Sequence, residues 1–204
     1  MEEKRPGQLF DITETDKGTY ILNANDLCMA EHLDKMRDAG VDSIKIEGRA
    51  KSHYYVAVTT NAYRGALDSL KNANGDWTCP TWVTEELNKI SHRNYSTGFY
   101  FGQPTNSQTY ANAGYVRDYS VAAIVDGYED GCIIATLKNK FLKGQVFDCL
   151  EPKSEPFEVV ANELYNEKGE LSGIAGELAG KGYGGKSVQF DLECRRQYPY
   201  DRPG

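Results

Sequence analysis

The sequence predicts two regimes in succession: an α/β layer with parallel strands up to about residue 80, and a mostly antiparallel β-domain from about residue 110 to the end. Three observations carry this reading. Strand-like and helix-like patterns alternate as far as Leu70, which is the order of a parallel α/β unit. From Ala113 onward, short alternating segments separated by Gly replace the helical periodicity, as in a small barrel or sandwich. Finally, two parallel strands cannot make a sheet with both faces covered, so the first regime needs strand partners from further sequence or another chain.

Taken in order, residues 1–11 are polar, with Pro6-Gly7 near the middle, and read as an extended lead-in. Asp16-Lys17-Gly18 has turn chemistry, and Thr19–Leu22 reads as a short strand. Asn25 or Asp26 can cap a following helix, whose apolar face is Leu27, Ala30, Leu33 and Met36 and whose stop is Gly40. Val41–Ile46 reads as a second strand, with Lys45 and Glu47 on one face and Ile44 and Ile46 on the other. Val56, Thr59, Tyr63, Ala66 and Leu70 then recur at helical spacing over about His53–Leu70. Asn72–Pro80 is a linker, which closes a first segment at residues 1–80.

Residues 81–109 combine a short helix over Thr81–Ile90 with an aperiodic stretch rich in Asn, Ser, Gly and aromatics. Residues 110–204 form the β-domain, with strands expected at 114–116, 121–126, 131–137, 145–150, 157–162 and 186–192 and turns at Gly144, Gly169 and near Gly182.

The charge balance narrows the partners. A formal net charge of −7 gives no global positive field to draw in nucleic acid, and the β-domain carries 11 Lys/Arg against 15 Asp/Glu, so any RNA contact is local. No apolar run reaches membrane-spanning length, which predicts no membrane partner. The five Cys, at 28, 79, 132, 149 and 194, form no close pair; this argues for neither a compact zinc site nor a disulfide scaffold, and a reducing, cytoplasmic setting is expected.

The run Ser43-Ile44-Lys45-Ile46-Glu47-Gly48-Arg49-Ala50-Lys51-Ser52-His53-Tyr54-Tyr55-Val56-Ala57 closely resembles the peptidase U32 family, whose usual form is near SLKIEGRMKSPYYVA. Gly18–Asn23, Asp26-Leu27-Cys28, Tyr63-Arg64, Ser96-Thr97-Gly98-Phe99 and the closing Pro199-Tyr200-Asp201 fit the same family in the same order. The resemblance implies that the first segment supplies the last units of a TIM-like barrel, completed by upstream sequence, and that residues 110–204 are the family's small β-barrel domain. It implies an enzyme in the intact protein, with the present chain inactive alone. One branch resembles proteins that hydroxylate the wobble uridine of transfer RNA, so transfer RNA is the expected partner. The family name points instead to a collagenase-like peptidase with a peptide substrate, and a noncatalytic binding or assembly module is a third reading. Uncovered barrel edges would promote self-association.

Cys28 is the sharpest candidate residue. In the predicted first helical turn, exposed N–H groups favour a thiolate, although from its own sequence alone a buried structural Cys is the favoured reading. The resemblance adds that hydroxylating relatives hold a four-iron, four-sulfur cluster on four Cys, the last of which matches Cys28. Soft thiolates suit such clusters. The other four Cys match no ligand position, so no cluster is expected on this chain alone; the intact protein would bind one using upstream cysteines.

Glu47, Arg49 and Lys51 follow a predicted parallel strand, the end of an α/β barrel strand that lines active sites. Arg49 and Lys51 can hold phosphate or carboxylate, Glu47 makes a polar substrate or structural contact, and a structural ion-pair network is the alternative for all three. His53 stands where the family often has Pro, which argues against catalysis by it. Arg93, in Ser91-His92-Arg93-Asn94-Tyr95, combines basic and aromatic character that can position RNA, or it belongs to a loop packed on the barrel. Gly180–Ser187 matches G-x-x-x-x-G-K-S, but the alternating Val188–Leu192 that follows reads as a strand, whereas a phosphate loop requires a helix. No Ser-His-Asp order or His-Glu-x-x-His motif offers a mechanism for peptide hydrolysis.

Overall fold

The computed structural model describes residues 12–15, 18–21, 25–102, 118–129, 132–165, 170–175 and 187–194. The chain divides into two units, Met1–Tyr119 and Ser120–Gly204.

The first unit opens with an antiparallel pair, β1 (Ile12–Thr15) and β2 (Gly18–Ile21), in the register Ile12↔Ile21 to Thr15↔Gly18. The predicted strand near Thr19 is therefore present, but as half of a hairpin and not as a parallel strand; the turn residues Asp16 and Lys17 lie outside the described residues. Next come β3 (Asp26–Leu27), a single 3-10 turn over Ala30–His32, and α1 (Leu33–Asp38). The helix expected to begin at Asn25 or Asp26 starts only at Leu33. The reason is a competing partner: β3 pairs in parallel with β4 (Tyr95–Ser96), which ties up the backbone of Asp26 and Leu27. Ala30 and Leu33 of the predicted apolar face are buried, whereas Leu27 is 57% exposed. The stop at Gly40 is as expected. Gly40 adopts φ +82°, its N–H bonds to Arg37 O, and the Val41 N–H bonds to Met36 O, the paired bonds of a left-handed helix end.

Val41–Ile46 is not a strand, which corrects the sequence expectation. A strand exists only through ladder bonds, and no described segment of this unit pairs with these residues. Val41 and Ile44 stand exposed. The strand-helix-strand-helix layer is thus not assembled within the described residues, where β3–β4 is the one parallel pair.

α2 (His53–Asn72) is capped by Ser52, whose side chain accepts the Tyr55 N–H at 3.2 Å. Val58, Ala62, Ala66 and Leu70 recur every fourth residue on its buried face. α3 (Thr81–Lys89) packs on α2 through Val83 and Leu87, and its Trp82 ring lies over Gly65, where a Cβ would come within 2.3 Å of the indole. None of the described helices is long and apolar enough to cross a membrane.

The second unit contains β5 (Ala123–Glu129), β6 (Cys132–Leu137), β7 (Phe141–Leu142), β8 (Val146–Cys149), β9 (Phe157–Tyr165), β10 (Leu171–Ser172), β11 (Ile174–Ala175) and β12 (Ser187–Cys194). The main sheet runs β10-β9-β12-β6-β5, with β8 also on β9, and every pairing is antiparallel. A separate pair joins β7 to β11. Ala135, Leu137, Phe141, Ala161, Leu164 and Ala175 form the core. The antiparallel character matches the sequence reading, while the described pairings follow an open path instead of a closed barrel. The strand expected at 114–116 lies outside the described residues. Ser187 begins a strand and not a helix, so the Gly-rich run before it lacks what a phosphate loop requires.

Candidate functional site

The site is built where the chain returns to β3 after 67 residues. Asp26 N–H bonds to Asn94 O at 3.0 Å, and Cys28 N–H bonds to Ser96 O at 2.9 Å, which fixes the backbone on either side of Leu27. The Asp26 carboxylate reaches back across this pairing: Oδ2 accepts the Arg93 N–H at 3.1 Å. Lys51 Nζ stands 3.9 Å from the same oxygen and 5.0 Å from the centre of the Tyr55 ring. One carboxylate therefore ties together the strand leading into Cys28, the turn before α2, and the segment entering β4.

Cys28 is half-buried directly after β3, in neither helix nor strand. This corrects its placement in a first helical turn, and with it the argument from helical N–H groups. What it meets instead is Tyr63, projecting from α2. The phenol oxygen lies 3.8 Å from Cys28 Sγ and accepts the Met29 N–H at 3.1 Å. Tyr63 is half-buried, with its hydroxyl on polar partners. Burial pushes its ionisation above the ordinary tyrosine range, and the neighbouring Cys28 adds to this. Tyr95 is raised in the same way, first by burial and then by Cys28, Tyr55, Asp26 and Tyr63; its hydroxyl donates to Leu87 O at 2.6 Å. For both phenols these causes favour the protonated form. Cys79, in the linker before α3, is pushed up to about 11 by burial, with Glu31 and Cys28 contributing.

The remaining candidates are less enclosed. Glu47 is exposed; its Oε1 accepts the Arg49 N–H at 3.3 Å and its Oε2 pairs with Lys45 Nζ at 3.5 Å. Lys45 and Glu47 thus share a side as period two required, although no ladder holds them. Arg49 is also exposed. Gly48 does not adopt positive φ. Its role is close approach, since a Cβ there would stand 2.9 Å from Val56 Cγ2. His53 is the exposed first residue of α2. His92 is buried, stacked on Tyr95 at 4.2 Å between centroids, with Nδ1 2.6 Å from Arg93 O. A ring so enclosed is packing material and cannot stack on a nucleobase. Arg93 is half-buried beside it.

Lys51, Arg93 and Cys28 are therefore brought to one place, while Glu47 and Arg49 lie along the exposed approach to α2. Tyr95 and Cys79 were not singled out by the sequence as neighbours of Cys28; Tyr95 comes near it through the β3–β4 pairing.

The sequence that builds this arrangement matches a known family. The profile of peptidase family U32 matches residues 1–110, and that of the peptidase family U32 C-terminal domain matches residues 117–176. The chain belongs to peptidase family U32. Among U32 relatives, the "tRNA hydroxylation protein P" of Escherichia coli is 32% identical over 89% of the chain and 39% of the relative. The "tRNA hydroxylation protein P1" of Bacillus subtilis is 28% identical over 88% of the chain and 42% of the relative. A "Collagenase" of Porphyromonas gingivalis is 31% identical over 54% of the chain and 26% of the relative. The chain spans about two fifths of the length of the tRNA hydroxylation relatives it matches.

Proposed function

We propose that this U32 chain works within a protein that hydroxylates the wobble uridine of transfer RNA. The observation that carries the reading is the span of the similarity: the Escherichia coli tRNA hydroxylation protein matches 89% of the chain. The gathering of Lys51, Tyr63, Arg93 and Asp26 around the Cys28 segment supports it.

In this reading the first unit completes a TIM-like barrel with further strands of the full-length protein. The exposed Val41 and Ile44 are side chains that a neighbouring strand would cover, and left open they would promote self-association. Lys51 and Arg93, with the exposed Arg49, bind anionic groups of the RNA or a small carboxylate substrate, and Glu47 orients the turn through the Arg49 N–H. The second unit positions the RNA by local contacts, given its acidic balance. The setting is the cytoplasm.

A four-iron cluster requires four thiolates. Among the described residues no three His, Cys, Asp or Glu side chains gather to hold a metal ion, and in this reading Cys28 supplies one of the four thiolates. Cys28 fits that role: its thiol is half-buried, beside a phenol that can donate to sulfur, and its backbone is pinned by Ser96. When bound, a cluster supplies one-electron chemistry; the residues of this chain supply one ligand and bind substrate.

The test is nucleoside analysis of transfer RNA from cells lacking the full-length protein. Loss of the hydroxylated wobble uridine, restored by the wild-type protein and not by Cys28→Ala, is expected; unchanged hydroxylation would overturn the reading. The similarity to a "Collagenase" favours a second reading, peptide hydrolysis. Gelatin cleavage by the purified full-length protein, together with unaltered transfer RNA, would select it.

A further inference from the structure

We infer that Tyr63 is a positioning residue for Cys28, its hydroxyl donating a hydrogen bond to the Cys28 sulfur and setting the electron density of that ligand. The inference rests on the reading of Cys28 as a cluster ligand, and it follows from counting donors. The Tyr63 oxygen has one proton and two lone pairs. One lone pair accepts the Met29 N–H at 3.1 Å. For the remaining proton, Cys28 Sγ lies 3.8 Å away. A cysteine that ligates metal is a thiolate and has no proton to give, so in that state Tyr63 is the donor and Cys28 the acceptor.

The surroundings favour this polarity. The Cys28 N–H is held by Ser96 O at 2.9 Å and the next N–H by Tyr63 itself, so the hydroxyl is tied to the backbone beside the sulfur. Tyr63 projects from the middle of α2, whose Val58, Ala62 and Ala66 are buried, so the phenol arrives from a rigid element. Hydrogen bonds to cluster sulfurs withdraw electron density and raise the reduction potential. Tyr95 provides an internal contrast: it is a phenol of the same neighbourhood, but its hydroxyl is committed to Leu87 O.

The experiment uses the full-length protein, reconstituted anaerobically with iron and sulfide, as wild type, Cys28→Ala, Tyr63→Phe and Tyr95→Phe. The readouts are iron and sulfide content, the midpoint potential by spectroelectrochemical titration, and the Tm of the cluster-free proteins. The expected result is a cluster in wild type that is lost in Cys28→Ala, a more negative potential in Tyr63→Phe at undiminished iron content, and an unchanged potential in Tyr95→Phe. Loss of iron from Tyr63→Phe with an unchanged cluster-free Tm also supports the inference. Equal potentials in Tyr63→Phe and wild type overturn it, as does iron loss that merely follows a fall in cluster-free Tm, which would make the hydroxyl a packing tie. A wild-type protein without cluster, or a Cys28→Ala protein that retains it, overturns the ligand reading itself and the role of Tyr63 with it.

Discussion

Asp26 and Arg93 are 67 residues apart in sequence and joined at 3.1 Å, the carboxylate Oδ2 accepting the Arg93 N–H. The bond aligns β3 with β4, and Lys51 lies 3.9 Å from the same oxygen. Asp26→Ala removes an ionised acceptor from a half-buried backbone N–H, a loss of about 1.5–3 kcal/mol. Asp26→Asn keeps an acceptor oxygen and loses only the attraction to Lys51, so its cost is smaller. Urea denaturation of the two variants checks the order; equal losses would mean that the charge, and not the N–H bond, holds the segments together.

Gly65 and Trp82 set how closely α2 and α3 pack. A Cβ at position 65 would stand 2.3 Å from Trp82 Cζ2, so Gly65→Ala forces the indole outward despite the better helix propensity of Ala. Overpacking of this kind costs about 1–3 kcal/mol. In a Trp77→Phe background, which leaves Trp82 as the remaining indole, the emission is expected to shift to the red as Trp82 gains solvent, with a lower Tm. An unshifted emission and raised Tm would show that the helices part without loss.

What could be read from the sequence, and what could not, divides along local and non-local lines. Gly40 ended its helix and the 81–90 pattern gave a helix because a turn of backbone and an apolar face are decided by neighbouring residues. The antiparallel strands of the second unit were legible for the same reason, apart from the two-residue strands β7, β10 and β11, which are too short to show a period. Asp26 and Leu27 were misread as a helix start because their partner, Tyr95-Ser96, lies far along the chain. Val41–Ile46 has a strand pattern without a described ladder partner, and a pattern alone does not satisfy N–H and C=O groups. At the site, Cys28, Lys51 and Tyr55 are visible as motif residues, but Tyr95 reads only as an aromatic residue of a loop.

Cys79 is pushed from 9.0 to about 11, chiefly by burial. At pH 8 its thiolate is then scarce relative to a free cysteine with a pKa near 8.5, and alkylation by iodoacetamide is expected to be slower by roughly a hundredfold. The folded state holds this proton more tightly than the unfolded state. The stabilisation is therefore complete below pH 9 and is lost as pH rises from 9 towards about 11. The urea midpoint should fall over that window, and less steeply in Cys79→Ala. Alkylation of Cys79 at the rate of a free thiol would show that it is not shielded.

Glu86 and Lys89 form a buried pair one turn apart in α3, with Lys89 Nζ 2.6 Å from Glu86 Oε1 and the carboxylate side chain 6% exposed. The pair offsets its own desolvation only while both members are present. Lys89→Met leaves an uncompensated carboxylate between helices and should cost about 3 kcal/mol, in line with the loss of one partner of a buried pair. Adding Glu86→Leu removes the stranded charge, and the double variant should recover most of that loss despite having lost both ionic groups. The full cycle of single and double variants, followed by thermal denaturation, isolates the coupling. If Lys89→Met alone is as stable as wild type, the carboxylate must be taking up its proton or reaching water, and the pair contributes nothing to holding α3 in place.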